Sequence, residues 1–453
     1  MDKQPVLINR IYKAVVHPTD RRLWTLAWPL MLTNLTVPLL GLVDTAVLGH
    51  LDSPEYLGAV AVGANLFTIL YWTFGFMRMG TTGLAAQAWG QRDAFAQVAL
   101  LLRSLLLAVG IGLLLILFHQ PLIAVGLKLM NPSPDVAALA AEYAAIRIWS
   151  APAVLCQYTL VGWLIGTQFP RGPMVMLIIA NGINIVLDVF FVTVLGWNSR
   201  GVAMATVMAE YGATAIGVMI VLKRMPEGQQ LTRELFGKVS DYLRILQVNR
   251  YIMVRTIALL LCLAFFTAQG ARQGDVILAA NAVLITFLLV ISNALDGFAN
   301  AAEALIGEAI GRGSRRRFKA VFASALRWSL LGALLLTIGF VLGGRWLISL
   351  LTGIEDVQTT AWQYLPWLWM LPFAAVWSYL LDGVFIGATR TREMQDTMLF
   401  SALGVFLPVW WLTTGWGNHG LWLALISLML ARAGSMGWLC WRYTRQDVWF
   451  QPR

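Results

Sequence analysis

Apolar residues in this chain do not alternate with polar ones; they come in long blocks. Twelve such blocks lie near 24–49, 57–80, 97–118, 140–165, 173–195, 201–222, 245–268, 276–300, 320–342, 361–386, 397–414 and 420–441. A helix of about 20 mostly apolar residues crosses the hydrocarbon core of a bilayer. A helix also satisfies its own backbone hydrogen bonds, which lipid cannot do. The pattern therefore predicts an all-α membrane protein with twelve transmembrane helices. The first block is long and carries Pro29 and Pro38. Proline removes a helix hydrogen bond, so a bend is expected there.

Composition agrees. The chain has 453 residues, of which 58% are hydrophobic and 12% charged, against roughly 25% charged in soluble proteins. The net charge of +10 invites a nucleic-acid reading. The basic residues argue against it, because they sit in short clusters between apolar blocks. Cys156, Cys262 and Cys440 are isolated within apolar blocks and show no metal or disulfide spacing. The basic start of the chain leads into a block too long for a cleavable signal, so the first block is read as a true span.

Loop charges set the orientation. With the N-terminus inside, 22 basic residues fall in inner segments and only 4, Lys128, Arg200, Arg272 and Arg345, in outer loops. This positive-inside bias places both termini in the cytoplasm, and the inner (plasma) membrane is the expected location. One long polar stretch, 223–244, falls at the midpoint. It divides an N-terminal six-helix lobe, 1–222, from a C-terminal six-helix lobe, 245–453.

The halves repeat at one offset. Gly90 and Gly311 are 221 apart, and so are Gly162 and Gly383, Ile165 and Ile386, Gly166 and Gly387, and Arg171 and Arg392. These matches fall at equivalent points of the span map. Six spans is an even number, so both halves enter the membrane from the same side. A pseudo-two-fold axis along the membrane normal is expected to relate them.

Ionisable residues at membrane depth are expensive and mark function by default. Asp44 lies in the outer half of span 1. Asp188 lies in span 5, with Asn184 four residues earlier and Asn181 three before that, all on one helical face. Thr206 and Glu210 share a face of span 6. A carboxylate shielded from water favours taking up a proton, which is the chemistry a proton-driven exchanger needs. The plainer alternative is a set of structural hydrogen bonds between helices. Glu210 reads as a packing partner for an arginine. In the second half, Arg255 lies mid-span in span 7, with Asp296 and Asp382 as candidate partners. Their pairing is read either as a gate or as a static tie. Arg78, Arg103, Arg147, Arg327 and Arg432 lie near block ends, where a long side chain reaches water, and carry no assigned role. Trp197, Trp416 and Trp449 read as interfacial anchors.

The order and spacing of Trp28-Pro29, Val43-Asp44-Thr45, Gly-Gln-Arg at 90–92, Asn184 to Asp188, Leu381-Asp382-Gly383 and Gly387-Ala388-Thr389-Arg390 resemble the multidrug and toxic compound extrusion (MATE) family. More narrowly, the chain is similar to its DNA-damage-inducible F (DinF) branch. The resemblance implies two lobes that alternate access and export organic, often cationic or amphipathic, compounds in exchange for protons or sodium. It implies a cation site similar to Asp44, Asn184, Asp188 and Thr206. The family's other branch uses a C-lobe carboxylate pair. Asp382 matches one member of that pair, but span 7 offers Arg255 where the second would stand, which favours the N-lobe and protons.

A flippase for lipids or lipid-linked oligosaccharides is the alternative, since such proteins share the two-lobe build. A cavity for a polyphosphate head should be cationic, whereas these N-lobe positions are acidic and amide. No enzyme motif appears: His17, His50, His119 and His419 lie in terminal or loop regions. Neither cofactor nor resident metal is expected, sodium at the N-lobe carboxylates apart. The expected partners are small organic substrates, protons or sodium ions and membrane lipids, with no nucleic acid.

Overall fold

The computed structural model describes residues 18–48, 54–225 and 233–451; of these, the side chains of 35–48, 54 and 233 lie outside the description. The all-α expectation holds, with no strand among the described residues. Ten helical segments are long and apolar enough to cross a membrane. They are α2 (Glu55–Gln91), α3 (Ala94–Leu117), α4 (Pro134–Gly166), α5 (Arg171–Val194), α6 (Asn198–Arg224), α7 (Val239–Ala271), α8 (Asp275–Gly311), α9 (Arg315–Leu351), α10 (Glu355–Gly387) and α12 (Asn418–Arg445). The helix α1 (Pro18–Leu48) and the helical stretch α11 (391–412) occupy the positions of the remaining two expected spans.

The 221-residue repeat is written into the backbone. Adding 221 to the ends of α4 gives the ends of α10. These two helices form the central posts: 72% and 78% of their most apolar stretches are buried, against 17–44% in the other eight segments. The continuous α9 corresponds to 94–130, where the first half breaks at Phe118 into α3 and a short helix, His119–Met130. Pro121 explains the break, since it cannot continue a helix through that turn. Left-handed residues also recur in pairs: Arg92 with Gly313, Gln168 with Thr389, and Gly196 with Gly417, all with φ between 53° and 68°. Asp93 accepts a hydrogen bond from the Ala96 N–H at 2.9 Å, and Ser314 does the same for the Arg317 N–H at 3.4 Å. Both are N-caps at one equivalent position.

The repeated glycines have a packing reason. A Cβ on Gly162 would stand 2.4 Å from the Arg78 carbonyl oxygen, and one on Gly383 would stand 2.4 Å from that of Ala299. One turn on, a Cβ on Gly166 or Gly387 would meet the carbonyl oxygen of Thr82 or Glu303 at 2.7 and 2.4 Å. The crossings α2–α4 and α8–α10 thus bring backbones together with no room for a side chain, as helices in lipid commonly do.

The described residues form two compact units, one within Leu32–Met253 and one within Met1–Met31 and Val254–Arg453. These divide the chain elsewhere than the linker 223–244 does. The first boundary falls inside α1, just after Pro29, and the second inside α7. Shifting Leu32 by 221 gives 253, one short of Val254, so the crossover belongs to the repeat. Packing shows it directly. Ile252 joins the core of Phe67, Tyr143, Ile148 and Leu155, whereas Ala258, Cys262 and Phe266 join that of Leu284, Leu368 and Trp422. In each unit large apolar side chains also stand outward, such as Leu113, Leu114 and Leu117 on α3 and Leu335 and Leu342 on α9, as a lipid-facing surface requires. Trp197 and Trp416 are exposed as expected of anchors, but Trp449 is not. It is 3% exposed and packs on Phe318, Phe385 and Tyr443.

Candidate functional site

In the Leu32–Met253 unit, α5 and α6 bring three of the expected residues into one buried cluster. Asn184 and Asp188 have no exposed surface and Thr206 is also buried. The four-residue spacing stacks Asn184 and Asp188 on the face of α5 that meets α6. Asn184 Nδ2 donates to Thr206 Oγ1 at 3.3 Å, and Thr206 Oγ1 donates to the Val202 carbonyl at 2.8 Å. Asn184 Oδ1 has no hydrogen-bond partner among the described residues. Asn181, one turn earlier on the same face, is half-buried, and its Oδ1 likewise has none among them. The cluster offers a carboxylate, amide oxygens and a hydroxyl, all hard oxygen donors suited to a proton or a small cation. The Asp44 side chain lies outside the described residues. Beyond Asp188 the helix loosens into a π-helical stretch, Val189–Val194, an irregularity frequent at functional sites.

A second polar group occupies the next turn of α6. Glu210 receives the Gln157 amide on its Oε2 at 2.5 Å, and Arg147 Nη2 stands 3.5 Å from its Oε1. Arg147 also donates to Ser150, whose hydroxyl lies 3.0 Å from the Tyr71 hydroxyl. Glu210 is thus the packing partner for an arginine, as expected. Arg147 itself corrects the sequence reading. It is 9% exposed and does not snorkel, because α4 is a central post and turns that residue inward.

The other unit treats its carboxylate differently. Asp382 on α10 pairs with Arg255 of α7, and Asp382 Oδ2 accepts from Arg432 Nη2 of α12 at 2.7 Å. Of the two candidate partners for Arg255, the structure selects Asp382. Asp296 accepts from Ser292, on its own helix, at 3.4 Å. Arg432 is the second correction. At 1% exposure it is the most buried arginine of the pair, not a snorkelling one. Its neighbour in the repeat is uncharged, so no signal short of the helix rotation distinguishes it. Both guanidiniums meet the same carboxylate oxygen, Oδ2.

Among the described residues no group of three or more His, Cys, Asp or Glu side chains is placed to hold a metal ion.

Comparison with known proteins follows the same lines. The family model described as MatE matches residues 29–190 and 252–412. The chain is 44% identical over 450 residues to "DNA damage-inducible protein F" of Escherichia coli (strain K12), covering 98% of this chain and 97% of that one. It is 24% identical to "Probable multidrug resistance protein NorM" of Brucella suis biovar 1 (strain 1330), covering 88% of each. Among solved structures it superimposes on "Crystal structure of MATE in the bent conformation" with a TM-score of 0.86 at 18% identity, covering 96% of this chain and 98% of that one.

Proposed function

This chain belongs to the MatE family of membrane transporters, and from that premise we propose that it exports small organic, often cationic, compounds against an inward flow of protons. The observation that carries the reading is the buried Asp188–Asn184–Thr206 cluster. A carboxylate held away from water gains by taking a proton, and loses by keeping its charge once the site closes. The loading group therefore senses both the proton supply and the state of the site. Asp44, facing the same depth by sequence, is assigned as its partner. The second unit is excluded from coupling in this reading, because Arg255 and Arg432 already neutralise Asp382. Substrate enters from the cytoplasm or inner leaflet. Protonation then resets the hydrogen bonds of Asp44 and Asp188 and helps expel it as access alternates.

The basic loops support an inner-membrane placement with both termini cytoplasmic. The name of the Escherichia coli relative supports DNA damage as a condition that raises production of this chain, and the relative named for multidrug resistance supports toxic organic substrates.

Proteoliposomes loaded with a labelled organic cation test the reading. An imposed pH gradient should drive saturable efflux, and a sodium gradient should not. Asp188→Asn should reduce pH-driven efflux to the rate of empty liposomes. Full pH-driven efflux by that variant, folded and inserted, sinks the proposal.

A further inference from the structure

A cavity of about 350 Å³ opens between the start of α1, the end of α8 and the start of α9, all in one unit. Arg22, Glu308, Ser314, Arg316 and Arg317 are among its lining residues. Glu308 is 2% exposed and organises the cations around it. Its Oε2 pairs with Arg22 at 2.8 Å, and its Oε1 with Arg312 at 2.7 Å and Arg317 at 3.5 Å. Arg316 makes no ion pair among the described residues. Four guanidiniums against one carboxylate leave a net charge of +3.

The repeat supplies an internal control. Subtracting 221 from Glu308, Arg312, Arg316 and Arg317 gives Gln87, Gln91, Phe95 and Ala96, and adding 221 to Arg22 gives Leu243. The backbone frame is the same in the two units, down to the N-caps Asp93 and Ser314. The frame therefore does not require these charges, and every one of them is peculiar to this unit. A buried carboxylate that fixes three arginines around a cavity is costly to build for solubility alone.

We propose that this cavity binds a phosphate group, carried by the headgroup of an anionic phospholipid at the basic, cytoplasmic end of the helices. A planar guanidinium fork matches phosphate oxygens in bidentate fashion. Basic pockets between spans on the cytoplasmic side recognise such headgroups. Two residues after the cavity-lining Arg22, Trp24 of α1 packs edge-on against Trp328 of α9 at 5.1 Å, and tryptophans near span ends mark the interface. Glu308 holds Arg22, Arg312 and Arg317 in place, and Arg316 is the cation left to meet the ligand. Because Arg22 lies on α1, an occupied site also ties the start of that helix to α8 and α9.

The test uses the purified full chain in detergent, titrated with fluorescent phosphatidylglycerol and, separately, phosphatidylcholine. Phosphatidylglycerol should bind more tightly, and Arg316→Gln with Arg317→Gln should weaken it about tenfold or more. Arg442→Gln with Arg445→Gln, which removes two cations from the end of α12, should leave binding unchanged. Competition by millimolar inorganic phosphate would assign the cavity to the free ion, and lack of competition to the lipid headgroup; both keep the phosphate site. Equal binding of the two lipids, retention of binding by the first double variant, or an equal loss in the second overturns it. If the first double variant elutes aggregated, Arg316→Gln alone decides, with a loss of about threefold expected. Binding in detergent is independent of transport, so failure here leaves the proton-coupling reading standing, and the converse holds too.

Discussion

The two units share a backbone and disagree about charge. Helix ends, left-handed turns, N-caps and glycine crossings repeat at one offset. Yet the first unit buries Asp188 one turn from Asn184, which is bonded to Thr206, while the second pairs Asp382 with two arginines. Both carboxylates are buried, so depth alone does not separate them. The neighbours do. Two guanidiniums make Asp382 a tie that joins α7, α10 and α12. A duplicated frame thus keeps its packing while its polar sites diverge, because packing depends on every residue of an interface and a polar site on only a few.

Asp382→Ala puts the largest strain on this comparison. It leaves two buried guanidiniums without their carboxylate and should cost about 3–5 kcal/mol, read as a large fall in thermal unfolding temperature in detergent. Asp188→Asn keeps shape and replaces one carboxylate oxygen by an amide, so its unfolding temperature should stay close to that of the parent chain. An equal fall in both variants would erase the contrast.

Glycine substitutions sharpen the shared half of the comparison. Gly162→Ala and Gly383→Ala each push a methyl into a carbonyl oxygen at 2.4 Å. Each should destabilise by about 1–3 kcal/mol, and by similar amounts. A large inequality would mean that the two crossings are not equivalent.

The smallest effect is electrostatic and lies at the start of α1. Burial pushes the Asp20 carboxyl up, but hydrogen bonds from Ser324 and Arg327 and the Arg327 charge hold it below its ordinary value. Arg327 Nη2 reaches the two carboxylate oxygens at 2.5 and 2.7 Å. A depressed folded value stabilises above the unfolded value and is lost as pH falls through the folded one. Stability of the parent chain should therefore decline below about pH 4 more steeply than that of Asp20→Asn, in unfolding scans from pH 6 to 3. Parallel curves would remove Asp20 from the account. The repeat predicts a relative of this contact: 221 residues on, Asp241 stands 3.3 Å from Arg103 on α3.

Much of this was legible in the sequence. Block lengths mark the spans, and the loop glycines reveal the offset. Asn184 and Asp188 could be grouped because helical spacing fixes which residues share a face, and the family resemblance added Thr206 from the next span. Arg147 and Arg432 could not, because near a helix end the same residue snorkels or turns inward according to the rotation of its helix. That rotation is set by neighbours that a linear pattern does not name. The unit boundaries were hidden for a similar reason. Apolar blocks look alike whichever core they join, so nothing local marks Met31–Leu32 or Met253–Val254 as crossover points.

That crossover constrains how the molecule can be made. During synthesis the first turns of α1 emerge more than 200 residues ahead of the core that will receive them. Residues 239–253 are also needed to finish the unit begun at Leu32, so the second half must start before the first is complete. Cutting the chain in the linker would therefore yield two fragments, each carrying a strip of the other's core and lacking its own. Each fragment is expected to fold poorly alone and to be rescued by co-expression with the other.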